Sequence, residues 1–194
     1  MDRGRILVLY GTSYGQTRRI ANHLGRLLQW AGHDVTVVDA ATGELREPLT
    51  SFDVVLIGSS IIARGHQKPV ERFIRANVAT LNAMPSAFFS VSASAGSRDP
   101  AGRAAAERVR DAFLAGVGWR PQVRESVAGA VNYTKYNPLL RWYMKRASQK
   151  GGGSTDTSRD HEYTDWSQVE RLARSVGALV PGSTAPLVRA EASV

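Results

Sequence analysis

The hydrophobic positions of this chain form short apolar runs that alternate with segments of helical period. Runs of this kind, rich in valine and isoleucine, are typical of strands buried on both faces of a parallel sheet. Five such strands are predicted, at Ile6–Tyr10, Asp34–Asp39, Asp53–Gly58, Ser86–Ser92 and Gln122–Ala130. Strands that alternate with helices in this way indicate an α/β domain with right-handed crossovers.

The segments between the strands carry the helices. After the first strand, an apolar stripe lies on one face of a predicted helix, at Ile20, Leu24, Leu27 and Leu28. The third predicted helix, Pro100–Gly116, is expected to turn Ala105, Val109, Ala112 and Phe113 inward. Asp165 can cap a last helix, and 181–194 is expected to be a disordered tail.

The loop after the first strand carries the most informative chemistry. It consists of small, hydroxylic or amide residues with one tyrosine, Gly11-Thr12-Ser13-Tyr14-Gly15-Gln16-Thr17. A helix begins directly after it, and the free N–H groups of a helix N-terminus attract an anion. The loop lacks the lysine of a P-loop and the glycine spacing of a dinucleotide fold. Hydroxyl donors suit a monophosphate such as that of FMN, and an ordinary capped turn is the alternative.

Two more loops support the ligand interpretation. Ser59–His66 and Ser90–Arg98 follow the third and fourth strands and are rich in small and hydroxylic residues. In open parallel sheets, ligands bind beyond the carboxyl ends of the strands, beside the first strand. All three loops are expected to meet there, which favours a binding site over an ordinary turn.

The same loop resembles the phosphate loop of flavodoxin-like proteins. The stretch from Gly15 to Ala21 resembles, more narrowly, the menaquinone-dependent protoporphyrinogen IX dehydrogenase family. Further similar motifs follow in order as far as about Leu179: 57–61, 65–66, 81–88, 119–121, 128–130, 152–157 and 163–166. The ordered set is specific for the family and less so for the exact substrate.

The resemblance implies a flavodoxin-like three-layer sandwich over residues 1–180. Its five-stranded parallel sheet has the order 2-1-3-4-5, with a long insertion after strand five. It implies non-covalent FMN and the oxidation of protoporphyrinogen IX to protoporphyrin IX, with menaquinone as acceptor, in heme biosynthesis. The residues expected at FMN are Thr12, Ser13, Tyr14, Gly15, Gln16, Thr17, Ser59, Ser60, Ile61, Ile62, Ala63, Arg64, Gly65, His66, Ser90, Val91, Ser92, Ala93, Ser94 and Ala95.

The insertion, residues 131–163, is far longer than an ordinary loop between a strand and a helix. Asn137 can cap a helix that Pro138 opens, with Leu139, Leu140, Tyr143 and Met144 on one arc. A basic amphipathic helix with aromatic residues suits an anionic membrane surface. The alternatives are packing against the chain's own sheet or against a second subunit, which leaves a homodimer open.

The insertion also supplies candidates for binding the substrate that the resemblance implies. Protoporphyrinogen is a largely apolar macrocycle with two propionates, so it needs an apolar ledge and cations. The candidates for these roles are Arg64, Tyr133, Lys135, Tyr136, Arg141, Trp142 and Arg146. No general base is identified, because a flavin can accept hydride without one.

Composition narrows the functional classes. The 194 residues include no cysteine, which excludes disulfides, cysteine-ligated metal clusters and thiol redox chemistry. A formal net charge of +8 favours an anionic membrane or a carboxylate-bearing substrate, and nucleic acid is not expected. Without an 18-residue apolar run or a signal peptide, we expect a cytoplasmic protein, peripheral at most on the inner face of the cell membrane.

Other assignments stay open at this point. An electron-transfer flavodoxin is disfavoured by the basic charge and the insertion, and an NAD(P)H:quinone reductase remains an alternative. The four histidines show no metal-ligand spacing, so no metal is predicted. His23 and His33 are expected at the surface. His66 is expected to be a solvated loop residue, and a role near the flavin or the substrate is the alternative.

Overall fold

The computed structural model describes residues 3–62 and 65–183. Five parallel strands form its main sheet: β1 (Arg5–Gly11), β2 (Asp34–Asp39), β3 (Val54–Ile62), β5 (Ser86–Ser92) and β6 (Val123–Ala128). Their spatial order is β2-β1-β3-β5-β6, with the short β4 (Gly65–His66) paired to β3. The predicted order of the five parallel strands is confirmed. Residues 184–194, most of the expected tail, lie outside the described part.

Helices cover both faces of this sheet. One face packs against α1 (Gln16–Trp30) and α5 (Trp166–Gly177), and the other against α2 (Lys68–Ala83) and α3 (Pro100–Val117). Successive residues of β1 alternate between the two cores, with Ile6 in the first and Leu7 in the second. Because each buried aliphatic side chain contributes about 1.5–3 kcal/mol, this continuous apolar strand anchors both layers.

The second predicted ligand loop is largely a β-hairpin. β3 continues to Ile62, and Ile61 pairs with His66 of β4 in the antiparallel direction. The prediction of a loop from Ser59 onward was therefore wrong for these residues. The β-branched Ile61 and Ile62 favour extended backbone, which continues the strand beyond the sheet edge.

The predicted inner face of α3 is displaced by about one position. The buried residues are Ala106, Arg110, Leu114 and Val117, whereas Ala112 is exposed. Arg110 lies inward because its guanidinium contacts Asp111 and Ser126, while its aliphatic stem is covered. The inner face of α3 is predicted wrongly when every arginine is assumed to face solvent.

His33 also departs from expectation. It is buried, and its Nδ1 accepts a hydrogen bond from the backbone N–H of Gly4 at 3.3 Å. Burial lowers the pKa of His33, which favours the neutral ring that this contact requires. The prediction of a surface histidine was wrong at this position.

The insertion folds into a small unit of its own. β7 (Ala130–Val131) and β8 (His161–Glu162) pair antiparallel, and α4 (Pro138–Lys150) lies between them in sequence. Its core is built around Tyr133, whose side chain is fully buried. The Tyr133 hydroxyl oxygen lies 2.9 Å from Ser148 Oγ and 3.0 Å from the Ser154 carbonyl oxygen. The insertion is therefore held by specific contacts rather than being a loose loop.

Helix α4 uses only a narrow stripe for packing. Asn137 caps it as predicted, because its side chain accepts a hydrogen bond from Leu140 N at 2.8 Å. Leu140 and Met144 pack inward, whereas Leu139 and Tyr143 are 76% and 49% exposed. The predicted four-residue arc is thus divided between the core and the surface.

Candidate functional site

A cleft opens at the carboxyl ends of the central strands and collects residues from all three predicted loops. The insertion adds the remaining walls, so the cleft lies between the sheet edge and α4. Its lining residues are Thr12, Tyr14, Gln16, Thr17, Ser60, Ile61, Ile62, Val91, Ser92, Ala93, Gly129, Ala130, Asn132, Tyr136, Leu140 and Met144. One end is hydroxyl-rich and the opposite walls are apolar, which is the polarity that a flavin mononucleotide requires.

The hydroxyl-rich end has a donor without a partner. Thr17 is fully buried in the first turn of α1, and among the described residues its Oγ1 has no hydrogen-bond partner. An orphaned buried hydroxyl costs about 1–3 kcal/mol, so such groups normally have a reason to persist. A phosphate at this helix N-terminus would accept that hydrogen bond together with free backbone N–H groups.

The backbone of the loop is shaped for the same purpose. Gly15 has φ +96°, a conformation that side chains rarely adopt, and its N–H donates to Thr12 Oγ1 at 3.0 Å. The first turn of α1 contains no acidic residue that would repel an anion. These residues fit the phosphate of FMN, as the hydroxyl pattern predicts.

The apolar walls would hold the flavin ring. Ile61 and Ile62 come from the β3–β4 hairpin, and Tyr136 and Met144 come from the insertion. Tyr14 meets Tyr136 edge to face, with ring centroids 4.8 Å apart. Of the two inserted tyrosines predicted to contact the substrate, Tyr136 lines the cleft, whereas Tyr133 is enclosed in the core of the insertion.

The insertion is joined directly to the phosphate loop. Gln16 Nε2 donates to Glu162 Oε1 at 3.0 Å and to Thr164 Oγ1 at 2.8 Å. Arg19 pairs with the same glutamate at 2.7 Å. Lys135 Nζ lies 3.4 Å from the carbonyl oxygen of Tyr14. The side chain of Gln16 thus faces the insertion, although the residue still contributes to the cleft wall.

Gln67 contacts two predicted site residues and is not itself among the residues predicted from the sequence. Its side chain contacts Ser13 of the phosphate loop and Ser60 of the hairpin. One signal was present: Gln67 precedes the first turn of α2, where Ser, Thr, Asp or Asn normally caps the helix. A glutamine there, with no capping bond, has its side chain available for another contact.

His66 lies behind the cleft rather than in solvent. Its ring stacks on Phe113 with centroids 4.2 Å apart, and its Nε2 lies 3.0 Å from Ser90 Oγ in β5. Burial lowers the pKa of His66 to about 4, partly opposed by the charge of Glu71. The prediction of a solvated histidine was wrong, because Phe88 and Phe113 cover the ring.

The remaining predicted cofactor residues surround the cleft without lining it. Ser59 is buried, with its Oγ accepting from Gln67 N, and Ser90 is occupied by His66. Ala95 donates its N–H to Ser92 Oγ, which holds the third loop. The other residues outside the cleft lining are Ser13, Gly15, Gly65, His66 and Ser94, and Ala63 and Arg64 lie outside the described residues.

The predicted substrate residues divide into two groups. Tyr133 is buried, and the Arg141 guanidinium donates to the carbonyl oxygens of Tyr133 and Tyr136 at 3.0 and 3.2 Å. Arg141 is therefore engaged inside the insertion. Trp142, Arg146 and Lys135 stand at the surface, with the Arg146 guanidinium over the Trp142 ring at 5.4 Å.

Comparisons with known proteins agree with this geometry. A family model described as a flavodoxin domain matches residues 7–158. Protoporphyrinogen IX dehydrogenase [quinone] of Escherichia coli K12 is 34% identical over 93% of this chain and 98% of its own length. A protein of the same name from Leishmania major is 31% identical over 90% of this chain and 75% of its own length.

Among solved structures, rubredoxin oxygen:oxidoreductase from Desulfovibrio gigas superposes with a TM-score of 0.50 at 14% identity. It covers 90% of this chain, which spans 36% of that protein. At this identity the likeness shows the fold alone. The flavodoxin domain match indicates FMN as the cofactor of this chain, and the unpartnered hydroxyl of Thr17 fits its phosphate. The chain therefore belongs to the flavodoxin superfamily and, within it, to the protoporphyrinogen IX dehydrogenase [quinone] family.

Proposed function

We propose that this protein oxidises protoporphyrinogen IX to protoporphyrin IX and passes the electrons to a quinone, with menaquinone as the physiological acceptor. The observation that carries the proposal is the 34% identity to a quinone-linked protoporphyrinogen IX dehydrogenase over nearly the whole of both chains. FMN, when bound, supplies the two-electron redox chemistry, and the protein supplies binding, orientation and electrostatics.

The apolar lining of the cleft favours the proposal of a large apolar substrate. Ile62, Tyr136, Leu140 and Met144 form apolar walls that continue from the sheet edge onto the insertion. The flexible, largely apolar macrocycle of protoporphyrinogen would lie against these walls, next to the flavin ring. The hydroxyl-rich end would be occupied by the phosphate, so the substrate would approach from the side of α4.

Two exposed cations are the best candidates for the propionates of this substrate. Lys135 follows the cleft residue Asn132 closely, and Arg146 lies on α4 beside Trp142. Arg141 is a weaker candidate, because two backbone carbonyls already accept from its guanidinium. Six residues of the insertion were expected to contact the substrate, and the exposed ones among them are Lys135, Trp142 and Arg146.

We also propose that α4 rests on an anionic membrane surface, on the inner face of the cell membrane. Leu139, Trp142 and Tyr143 are exposed large hydrophobic residues, and Lys145 and Arg146 accompany them. Within the residues described, none of the helices has the length and hydropathy of a membrane span. Surface contact through α4 would bring the cleft close to the lipid in which a long-chain quinone dissolves.

The test of the proposed substrate is anaerobic mixing of the FMN-loaded protein with single reductants while flavin absorbance is followed. Protoporphyrinogen IX should bleach the flavin rapidly, whereas NADH and NADPH should do so slowly. Rapid bleaching by NADH or NADPH and none by protoporphyrinogen would instead identify an NAD(P)H:quinone reductase.

A further inference from the structure

The side chain of Gln67 joins the two halves of the FMN site. Its Nε2 lies 2.9 Å from Ser13 Oγ in the phosphate loop and 2.8 Å from Ser60 Oγ in the hairpin. Its backbone N–H donates to Ser59 Oγ at 3.0 Å, which fixes the start of α2 against β3. Ser60 lines the cleft, so one amide connects the phosphate end with the ring end.

Close packing holds this amide in place. A Cβ atom at position 11 would lie 2.8 Å from Gln67 Cβ and 2.6 Å from Val70 Cγ2. Gly11 therefore allows α2 to approach the phosphate loop to a distance that any other residue would prevent. Because Gln67 makes no capping bond to its own helix, its amide is available to the two serines.

The chemistry of an amide nitrogen sets the direction of these hydrogen bonds. An NH2 group has two hydrogens and only donates, so both serine oxygens must accept from it. Each serine hydroxyl then has its own hydrogen left to direct elsewhere. A phosphate group accepts hydrogen bonds and does not donate them when fully ionised, so it requires donors of this kind.

We propose that Gln67 is a positioning residue that makes Ser13 and Ser60 hydrogen-bond donors toward FMN. Ser13 would serve the phosphate end, and Ser60 the part of the cofactor nearer the ring. The inference concerns FMN binding alone and does not depend on the oxidation proposed above, so either can fail without the other.

Two substitutions separate donation from simple packing. Gln67→Met keeps the length of the side chain and removes both hydrogen bonds. Gln67→Glu keeps the shape, but its carboxylate accepts from both serines and turns their hydrogens away from the ligand. It also adds a negative charge beside a dianionic phosphate, so we expect it to be the more damaging change.

The measurement is the dissociation constant of FMN and of riboflavin, by quenching of flavin fluorescence on the apoprotein. FMN affinity should fall about tenfold in Gln67→Met and about a hundredfold in Gln67→Glu. Riboflavin lacks the phosphate, so its affinity should fall by less, and the preference for FMN over riboflavin should decrease.

The matched control is Gln29→Glu, which makes the same change of charge at an exposed position. Gln29 is near the other end of α1, about 20 Å along the helix from the phosphate loop. Its substitution should therefore leave the affinities for FMN and riboflavin unchanged. Wild-type FMN affinity in Gln67→Glu would overturn the proposal. The serines of this variant donate to the carboxylate, so unchanged affinity would mean that FMN does not need them as donors. Equal losses for FMN and riboflavin, with a lowered melting temperature of the apoprotein, would also overturn it by showing a merely structural role.

Discussion

The buried hydroxyl of Thr17 is expected to affect both the stability of the chain and its affinity for FMN. Its Oγ1 is enclosed and lacks a hydrogen-bond partner among the described residues, at the N-terminus of α1. An unpartnered buried hydroxyl destabilises the folded chain, and a phosphate bound at this helix N-terminus would accept a charge-assisted hydrogen bond from it. We therefore expect the same atom to have opposite effects on the apoprotein and the holoprotein.

Thr17→Val should separate these two effects. FMN affinity should fall by roughly ten- to a hundredfold, because a hydrogen bond to a charged group contributes about 1.5–3 kcal/mol. The apoprotein should become more stable by about 1 kcal/mol, since an unsatisfied buried polar atom has been removed. Flavin titration and urea denaturation measure the two quantities.

Thr36→Val, in the edge strand β2, serves as the control and should leave FMN affinity unchanged. Unchanged FMN affinity in Thr17→Val would remove Thr17 from the cofactor site. A marked loss of apoprotein stability in Thr17→Val would show instead that the Thr17 hydroxyl has a hydrogen-bond partner within the protein.

The buried ring of His66 leads to a second prediction for a single residue, which concerns the pH dependence of stability. The pKa of its ring is about 4 in the folded protein and near 6.5 in the unfolded chain, mainly because of burial. Between these values the unfolded chain binds the additional proton, so stability falls as the pH decreases from 6.5 to 4. This single group should remove about 3 kcal/mol of the free energy of unfolding over that range.

His66→Gln tests this prediction, because glutamine can still contact Ser90 and does not titrate. The difference in unfolding free energy between wild type and variant, measured by urea denaturation at several pH values, should change by about 3 kcal/mol between pH 6.5 and 4. A difference that does not vary with pH would mean that the ring is solvated, as the sequence alone suggested.

At the scale of elements, the insertion both stabilises itself and completes the cleft. Its core contains Tyr133 and Tyr136, and its contacts with Gln16 and Arg19 fix it to α1. Since Asn132, Tyr136, Leu140 and Met144 line the cleft, removing the insertion would disturb FMN as well as substrate. Point substitutions therefore separate its roles more clearly than a deletion.

Arg141→Met and Arg146→Met form a matched pair with the same loss of charge on one helix. Arg141→Met should lower the free energy of unfolding by about 2 kcal/mol, because two backbone carbonyls lose a charged donor. Arg146→Met should change it by less than about 0.5 kcal/mol, as is usual for a surface position, and should raise the KM for protoporphyrinogen. Equal stability losses in both variants would contradict these separate roles.

The elements differ in how far sequence could predict them. β1 and the start of α1 were predictable, because a continuous apolar run followed by small residues and then by an apolar stripe of helical period favours a strand, a loop and a helix. The β3–β4 hairpin and the inward Arg110 were not, because tertiary pairing and a satisfied guanidinium override local pattern. Gln67 and Tyr133 act through contacts between distant segments, and no local pattern identifies such contacts.

At the scale of the whole molecule, the charge of +8 and the exposed face of α4 predict binding to anionic vesicles. Each basic residue near such a surface contributes about 1 kcal/mol, and salt screens it. Changing Lys145 and Arg146 to Gln should therefore weaken binding at least tenfold, and Leu139→Gln with Trp142→Gln should weaken it further. Vesicle sedimentation at low and high salt measures both effects.

Trp30→Gln is the control, because Trp30 is 78% exposed at the end of α1 and should not affect vesicle binding. Failure of the wild-type protein to bind anionic vesicles at low salt would contradict membrane contact. Sedimentation as a dimer that Trp142→Gln converts to a monomer would show that a second copy of the chain covers this face.

The central claim is tested most directly by complete turnover without oxygen. FMN-loaded protein is given protoporphyrinogen IX and menaquinone, and the fluorescence of protoporphyrin IX and the amount of quinol are followed together. Because the oxidation removes six electrons, we expect three quinols for each porphyrin formed, at a rate proportional to protein concentration. Porphyrin formation no faster than in the protein-free control would contradict the account.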